Sequence, residues 1–205
     1  MKIISNMLLC FVALSLSNYA AADSGHADHS MHAGSVKTST NEEKFSESIK
    51  NLSFVKKAQV IKLKDGETFT LIASIVKQKI GNRVIRRYAY NGTIPGPIIE
   101  VSKGSSVKIK FINQTDSDQT LHSHGLRLDY RYDGAVGLGQ KKPVKPGETF
   151  TYELKFPDTG VFWYHPHVRE DYSQDMGLYG NYFVKETKGN IEPFNKQIPL
   201  VLDDI

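Results

Sequence analysis

Four of the seven histidines in this 205-residue chain fall into two tight pairs. His122 and His124 flank Ser123, and His165 and His167 flank Pro166. In an extended strand, side chains at i and i+2 leave the same face roughly 6.6 Å apart along the chain. Two imidazoles so placed can each reach one of two neighbouring metal ions. Two such strands laid side by side offer four nitrogens to one cavity. Imidazole suits copper, zinc, iron and nickel, and spacing alone does not choose among them. A single pair at this spacing often arises by chance on a surface. Here the other three histidines, His26, His29 and His32, share one short polar tract, so every histidine outside that tract belongs to a pair. Reading all four as ordinary core or surface histidines needs two coincidences.

The tract from His26 to Gly34 (HADHSMHAG) adds Met31 to its three histidines. Imidazole and thioether together can capture copper loosely. The same composition suits a disordered tail, and residues 23–53 are polar and poor in large apolar groups. One short helix is expected over residues 41–51. Cys10 is the only cysteine, and it lies inside the apolar run Met7 to Leu16. With Lys2 before it and Ala20-Ala21-Ala22 after it, that run reads as a secretory signal over residues 1–22, too short to span a bilayer. The mature protein is then expected in the periplasm or the medium, with no disulfide and no thiolate for any metal. No later stretch is apolar enough to enter a membrane. The net charge of +4 comes from scattered, mixed charges, which argues against a nucleic-acid groove.

The elements that must carry the histidine pairs are strands. Val107, Ile109 and Phe111 alternate with Lys108 and Lys110, and Phe150, Tyr152, Leu154 and Phe156 alternate with Thr151, Glu153 and Lys155. This is the period of half-buried strands. Asp65-Gly66, Asn91-Gly92, Lys103-Gly104, Pro146-Gly147 and Asp158-Thr159-Gly160 mark turns between them. Short strands without intervening helical patterns predict an all-β sandwich or barrel. Tyr130, Tyr132, Tyr172 and Tyr179 read as packing aromatics, and Asp133 as a turn residue. Arg169, Glu170, Asp171 and Asp175 read as a solvated loop, with orientation of the histidines as the competing reading.

The motifs around the histidines resemble one family. Tyr90-Asn91-Gly92-Thr93-Ile94-Pro95-Gly96-Pro97 is similar to the segment before the first copper-ligand strand of multicopper oxidases, the laccase-like family. His122-Ser123-His124-Gly125 resembles that family's first ligand motif, and Trp163-Tyr164-His165-Pro166-His167 its second. Asp133-Gly134, Gln140 and Pro146-Gly147 lie between them in the family's order, and Gly177-Leu178-Tyr179-Gly180 resembles the closing strand. Ser123 stands where Trp is usual and Pro166 where Ser is common; neither is a ligand position.

The resemblance implies a cupredoxin-like Greek-key β-sandwich over residues 54–190, with copper as cofactor. It implies that His122 binds the type 2 copper and that His124, His165 and His167 bind the type 3 pair, where dioxygen is reduced to water. In the family, the other four histidines and the type 1 copper with its Cys belong to the last domain. This sequence has neither, so no catalytic residue is assigned and no oxidase activity is expected of the chain alone. Residues 191–205 are read as the start of a following domain, cut short, with Ile198 to Ile205 as its first strand. The expected partners are copper ions, dioxygen once the cluster is complete, and the missing cupredoxin domains or another subunit. A stand-alone periplasmic copper-binding or copper-tolerance protein is the alternative from a different functional class. Loaded with Cu(II), the purified chain is expected to lack the intense blue band of thiolate-bound copper. A strongly blue monomer in an absorption spectrum would refute this.

Overall fold

The computed structural model describes residues 46–186 and 199–203. Nine strands follow one another among them: β1 (Val60–Lys62), β2 (Thr68–Ile80), β3 (Arg83–Tyr90), β4 (Ile98–Ser102), β5 (Ser106–Gln114), β6 (His122–His124), β7 (Thr149–Lys155), β8 (Gly160–His165) and β9 (Gly180–Lys185). A 3-10 turn at Tyr130–Tyr132 and one helical turn, α1 (Glu170–Ser173), are the only helical pieces among the described residues. No helix among them is long and apolar enough to cross a membrane.

The strands form two mixed sheets, one in the order β3-β2-β5-β7 and the other in the order β1-β4-β9-β8-β6. The chain changes sheet after β1, β3, β4, β5, β6 and β7, so successive strands mostly face each other across the core instead of pairing. This is the expected Greek-key β-sandwich. The period-two patterns decide which faces meet. On β5, Val107, Ile109 and Phe111 are buried while Lys108 and Lys110 are exposed. On β7, Tyr152 and Leu154 point inward between Thr151, Glu153 and Lys155. Ile99, Val101, Tyr164, Tyr182 and Val184 meet them from the other sheet. Each such buried side chain contributes roughly 1.5–3 kcal/mol relative to exposure.

Tyrosine hydroxyls inside this core tie it to β6. Tyr152 accepts the Leu121 N–H at 3.0 Å and donates to Gln140 Oε1 at 2.8 Å. Tyr182 Oη lies 3.1 Å from Ser123 Oγ. Tyr164 donates to the Pro97 carbonyl at 2.6 Å. Its ring packs so closely on Gly180 that a Cβ there would lie 2.3 Å from its Cζ. The Tyr90–Pro97 segment therefore acts on β8 through the sandwich interior. Burial holds the hydroxyls of Tyr152, Tyr164 and Tyr182 protonated by raising their pKa values.

Three expectations are corrected. Residues 46–51, the described part of the expected helix, form coil ending in a turn. The Ser46 and Ser48 hydroxyls accept backbone N–H groups two residues on, an alternative to helical hydrogen bonding. Residues 199–203 carry no strand; Asp203 there accepts from Tyr179 Oη at 2.6 Å. Tyr130 is 67% exposed and packs into no core. Residues 1–22 and the His26, His29 and His32 tract lie outside the described residues.

The loop leading to β6 is closed by Asn113, which is completely buried. Its amide donates to the Ser117 and Val144 carbonyls, each at 2.8 Å, and its Oδ1 accepts from the Thr115 N–H and hydroxyl at 2.9 and 2.8 Å. Replacing it strands several of these buried partners. Asn113→Ala is expected to destabilise the fold by about 4 kcal/mol in denaturant titration, at about 1 kcal/mol for each of the four lost bonds. A loss below about 1 kcal/mol would contradict this assignment.

Candidate metal centre

β6 is a three-residue edge strand beside β8. Their antiparallel register sets His122 opposite His165, Ser123 opposite Tyr164 and His124 opposite Trp163. Directly opposed residues share a face, with Cβ atoms about 4.5–5.5 Å apart. His122, His124, His165 and Trp163 therefore stand on the outward face of the sheet, while Ser123 and Tyr164 point into the core. Donor nitrogens of His122, His124 and His165 all lie within 4.8 Å of one another.

His167 arrives differently from the expectation of two histidine-bearing strands. β8 ends at His165, because Pro166 has no N–H with which to continue a ladder. His167 sits in the following bend, where its N–H donates to Thr120 Oγ1 at 2.8 Å. Its ring nevertheless joins the group: the His122 ring centroid lies 5.4, 5.2 and 5.1 Å from those of His124, His165 and His167. The four imidazoles thus converge, three from paired strands and one from a loop.

Acceptors behind the rings orient them. His122 Nδ1 lies 2.6 Å from the Asp133 carbonyl, so Asp133 acts through its backbone as well as its turn. Gly134 makes this approach possible: its φ is +83°, and a Cβ would lie 2.2 Å from the Leu121 carbonyl oxygen. His165 Nδ1 lies 2.8 Å from the Pro166 carbonyl, and His167 Nδ1 lies 2.9 Å from Glu170 Oε1. With Nδ1 engaged in these three rings, Nε2 is the nitrogen left for a metal. His124 instead turns Nδ1 toward His165 Nε2, at 3.5 Å. Trp163 stacks on His165, with centroids 3.8 Å apart and planes at 23°. Sequence reading assigned Trp163 no role, although its position two residues before His165 on one strand already put both on one face. Thr120 gave no such signal, because only the folded loops bring it to His167; Glu170 carried one, in the competing reading of the 169–175 charges as orienting the histidines.

Burial pushes the His165 pKa down to about 4, and the other three imidazoles add to this, against the raising effect of the Pro166 carbonyl. The ring is therefore neutral at neutral pH, the form that ligates metal. An all-imidazole donor set with orienting acceptors fits copper.

A two-sheet sandwich with histidines gathered on an outer edge defines a cupredoxin-like copper-binding domain. The family model for multicopper oxidases matches residues 76–189, and the chain belongs to the multicopper oxidase family, whose members use copper. It is 34% identical over 122 residues to the multicopper oxidase mco of Staphylococcus aureus, covering 56% of this chain and 26% of that protein. Over 129 residues it is 30% identical to copper resistance protein A of Pseudomonas syringae pv. tomato, covering 63% of this chain and 20% of that one. Among solved structures it is similar to a multi-copper oxidase from Pseudomonas thermotolerans, with TM-score 0.58 and 34% identity over 63% of this chain and 31% of that one. The blue copper oxidase from Nitrosomonas europaea gives TM-score 0.58 and 30% identity over 61% and 40%. The chain spans about a quarter of the length of the first curated relatives it matches.

The depressed His165 pKa links stability to pH. The unfolded chain takes up this proton near pH 6.5 and the folded chain only near 4. The stabilisation is complete above about pH 6.5 and is lost as pH falls toward 4. Metal-free protein should therefore lose stability over this window more steeply than a His165→Asn variant. Parallel pH profiles of the two in denaturant titration would contradict it.

Proposed function

We propose that this chain supplies half of the ligands of a trinuclear copper site. His122 would hold the type 2 copper, and His124, His165 and His167 would hold the type 3 pair. The observation that carries this reading is the convergence of four imidazoles from two motifs, three of them with Nδ1 engaged by oxygen acceptors. Bound copper would supply the redox chemistry that takes dioxygen to water. This chain's own residues hold the rings: Asp133, Pro166 and Glu170 keep the proton on Nδ1, and Trp163 covers one face of His165.

Two observations support a half-site instead of a complete one. Four imidazoles cannot saturate three coppers. The group is also open on its outer side, where His124 is exposed and the His167 side chain is 43% exposed. The remaining donors, and the thiolate site through which electrons enter, would come from further cupredoxin domains or another subunit. Residues 1–22 support export to the periplasm or the medium, and residues 54–190 would form the cupredoxin domain, with residues 191–205 leading into the next.

Copper titration of the purified chain tests the site. His165→Ala combined with His167→Ala should weaken the tightest copper site by roughly 100-fold, the upper range seen when even supporting residues are removed. Replacing His26, His29 and His32 by Ala should remove weak sites alone, because a tail must lose conformational entropy on binding. Equal losses from both variants would sink the proposal. Oxygen consumption with phenols, diamines or Cu(I) should not exceed that of matched free copper. Sustained turnover abolished by His124→Ala would show a complete site, assembled by self-association of the chain.

A further inference from the structure

His167 is the least secured of the four imidazoles. It follows Pro166 outside any strand, and among the described contacts its main chain is tied to the body at Thr120 Oγ1. Its ring position therefore depends on a side-chain contact. Four charged residues follow it, Arg169, Glu170, Asp171 and Asp175. Asp171, with a side chain 71% exposed, pairs with Arg169 at 3.1 Å, and Asp175 is exposed. Glu170 alone among the acids reaches an imidazole: its Oε1 lies 2.9 Å from His167 Nδ1. Its other oxygen lies 3.5 Å from Gln174 Nε2, and Gln174 Nε2 lies 3.0 Å from His165 Nδ1. Glu170 and Gln174 thus span the back of both rings of the second histidine pair, from one helical turn at i and i+4.

The far side of that turn is fixed to the sandwich. Ser173 is buried, and its Oγ accepts from Gln119 Nε2 at 3.2 Å. Tyr172 packs edge-on against Tyr88, with centroids 5.8 Å apart and planes at 87°. The turn cannot slide without disturbing these contacts, so it offers Glu170 from a set position. The acceptors behind His122 at 2.6 Å and behind His165 at 2.8 Å are neutral peptide carbonyls. His167 instead has a full carboxylate at hydrogen-bond distance; the Asp133 carboxylate is farther from His122 Nδ1, at 3.4 Å. A carboxylate acceptor fixes the proton on Nδ1, aims Nε2 forward and makes it a stronger donor.

We infer that Glu170 is the positioning residue for His167, and that Gln174, by donating to the other Glu170 carboxylate oxygen, completes a clamp that holds that ring for copper. The clamp takes its purpose from the half-site reading, but its geometry can be measured without metal. The test uses the full chain with Glu170→Ala, Glu170→Gln, Gln174→Ala and, as control, Asp171→Ala. In metal-free protein, nitrogen-15 NMR of the imidazoles should show His167 protonated at Nδ1. Glu170→Ala should convert this to a mixture of tautomers while His122 stays unchanged, and Glu170→Gln, which keeps an acceptor oxygen, should restore it. Competition for Cu(I) against a chromophoric chelator should show affinity falling about 10-fold or more in Glu170→Ala, recovering to within a few-fold of wild type in Glu170→Gln, and unchanged in Asp171→Ala. Gln174→Ala should give a smaller loss, a second arm should Glu170→Ala fold poorly.

An unchanged His167 tautomer and unchanged Cu(I) affinity in Glu170→Ala would overturn the clamp. If His167→Ala still weakened Cu(I) binding in that case, the half-site reading would stand without it. If His167→Ala left Cu(I) affinity intact, the half-site reading would fail, and the NMR result alone would decide whether Glu170 positions the ring.

Discussion

The site depends on the register in which β6 pairs with β8. Slipping one strand by a single residue would exchange its two faces, turning the histidines toward the core and Ser123 or Tyr164 toward solvent. The observed register puts His122 across from His165 and keeps three imidazoles on one face. A three-residue edge strand has few ladder bonds with which to enforce this. The core enforces it: Tyr152 takes the N–H of Leu121 just before His122, Tyr182 meets Ser123 between the two histidines, and Tyr164 is wedged against Gly180. The packed interior therefore sets the outer face, and the tyrosines transmit that order because each has both a large ring to bury and a hydroxyl to aim.

A division of roles follows from the two faces of one sheet. Inward residues supply burial and hydrogen-bonded anchoring; outward residues supply donors. Pro166 breaks the symmetry between the two histidine pairs. It ends β8 and hands His167 to a loop, so that ring needs its own support from Thr120 and Glu170. The acceptors behind the rings matter as much as the rings. Without them each neutral imidazole would divide its proton between two nitrogens, and part of the population would present N–H where a lone pair is needed.

Much of this was legible in the residues. Alternation in 107–111 and 150–156 marked half-buried strands, and β5 and β7 formed there with the expected faces inward. The turns at Asn91-Gly92 and Pro146-Gly147 were readable because glycine there takes a positive φ. The helix expected over 41–51 is absent from the described residues 46–51, where serine hydroxyls compete locally for backbone N–H groups. Tyr130 was read as packing and is exposed, because aromatic type alone does not say which way a loop side chain turns.

By itself the sequence determined the donor chemistry: two His-x-His pairs, no cysteine beyond Cys10, and strands to carry three of the four donors. These follow from local rules, since side-chain parity along a strand and ligand type depend on neighbours in sequence. Which strands become neighbours, which residue of one faces which residue of the other, and which oxygen waits behind each ring were decided by the tertiary structure alone. Thr120, Asp133, Glu170 and Gln174 reach the histidines through loops whose paths depend on packing against a core assembled from distant segments. No periodicity records such contacts, because they are made between parts of the chain that meet only after it has folded.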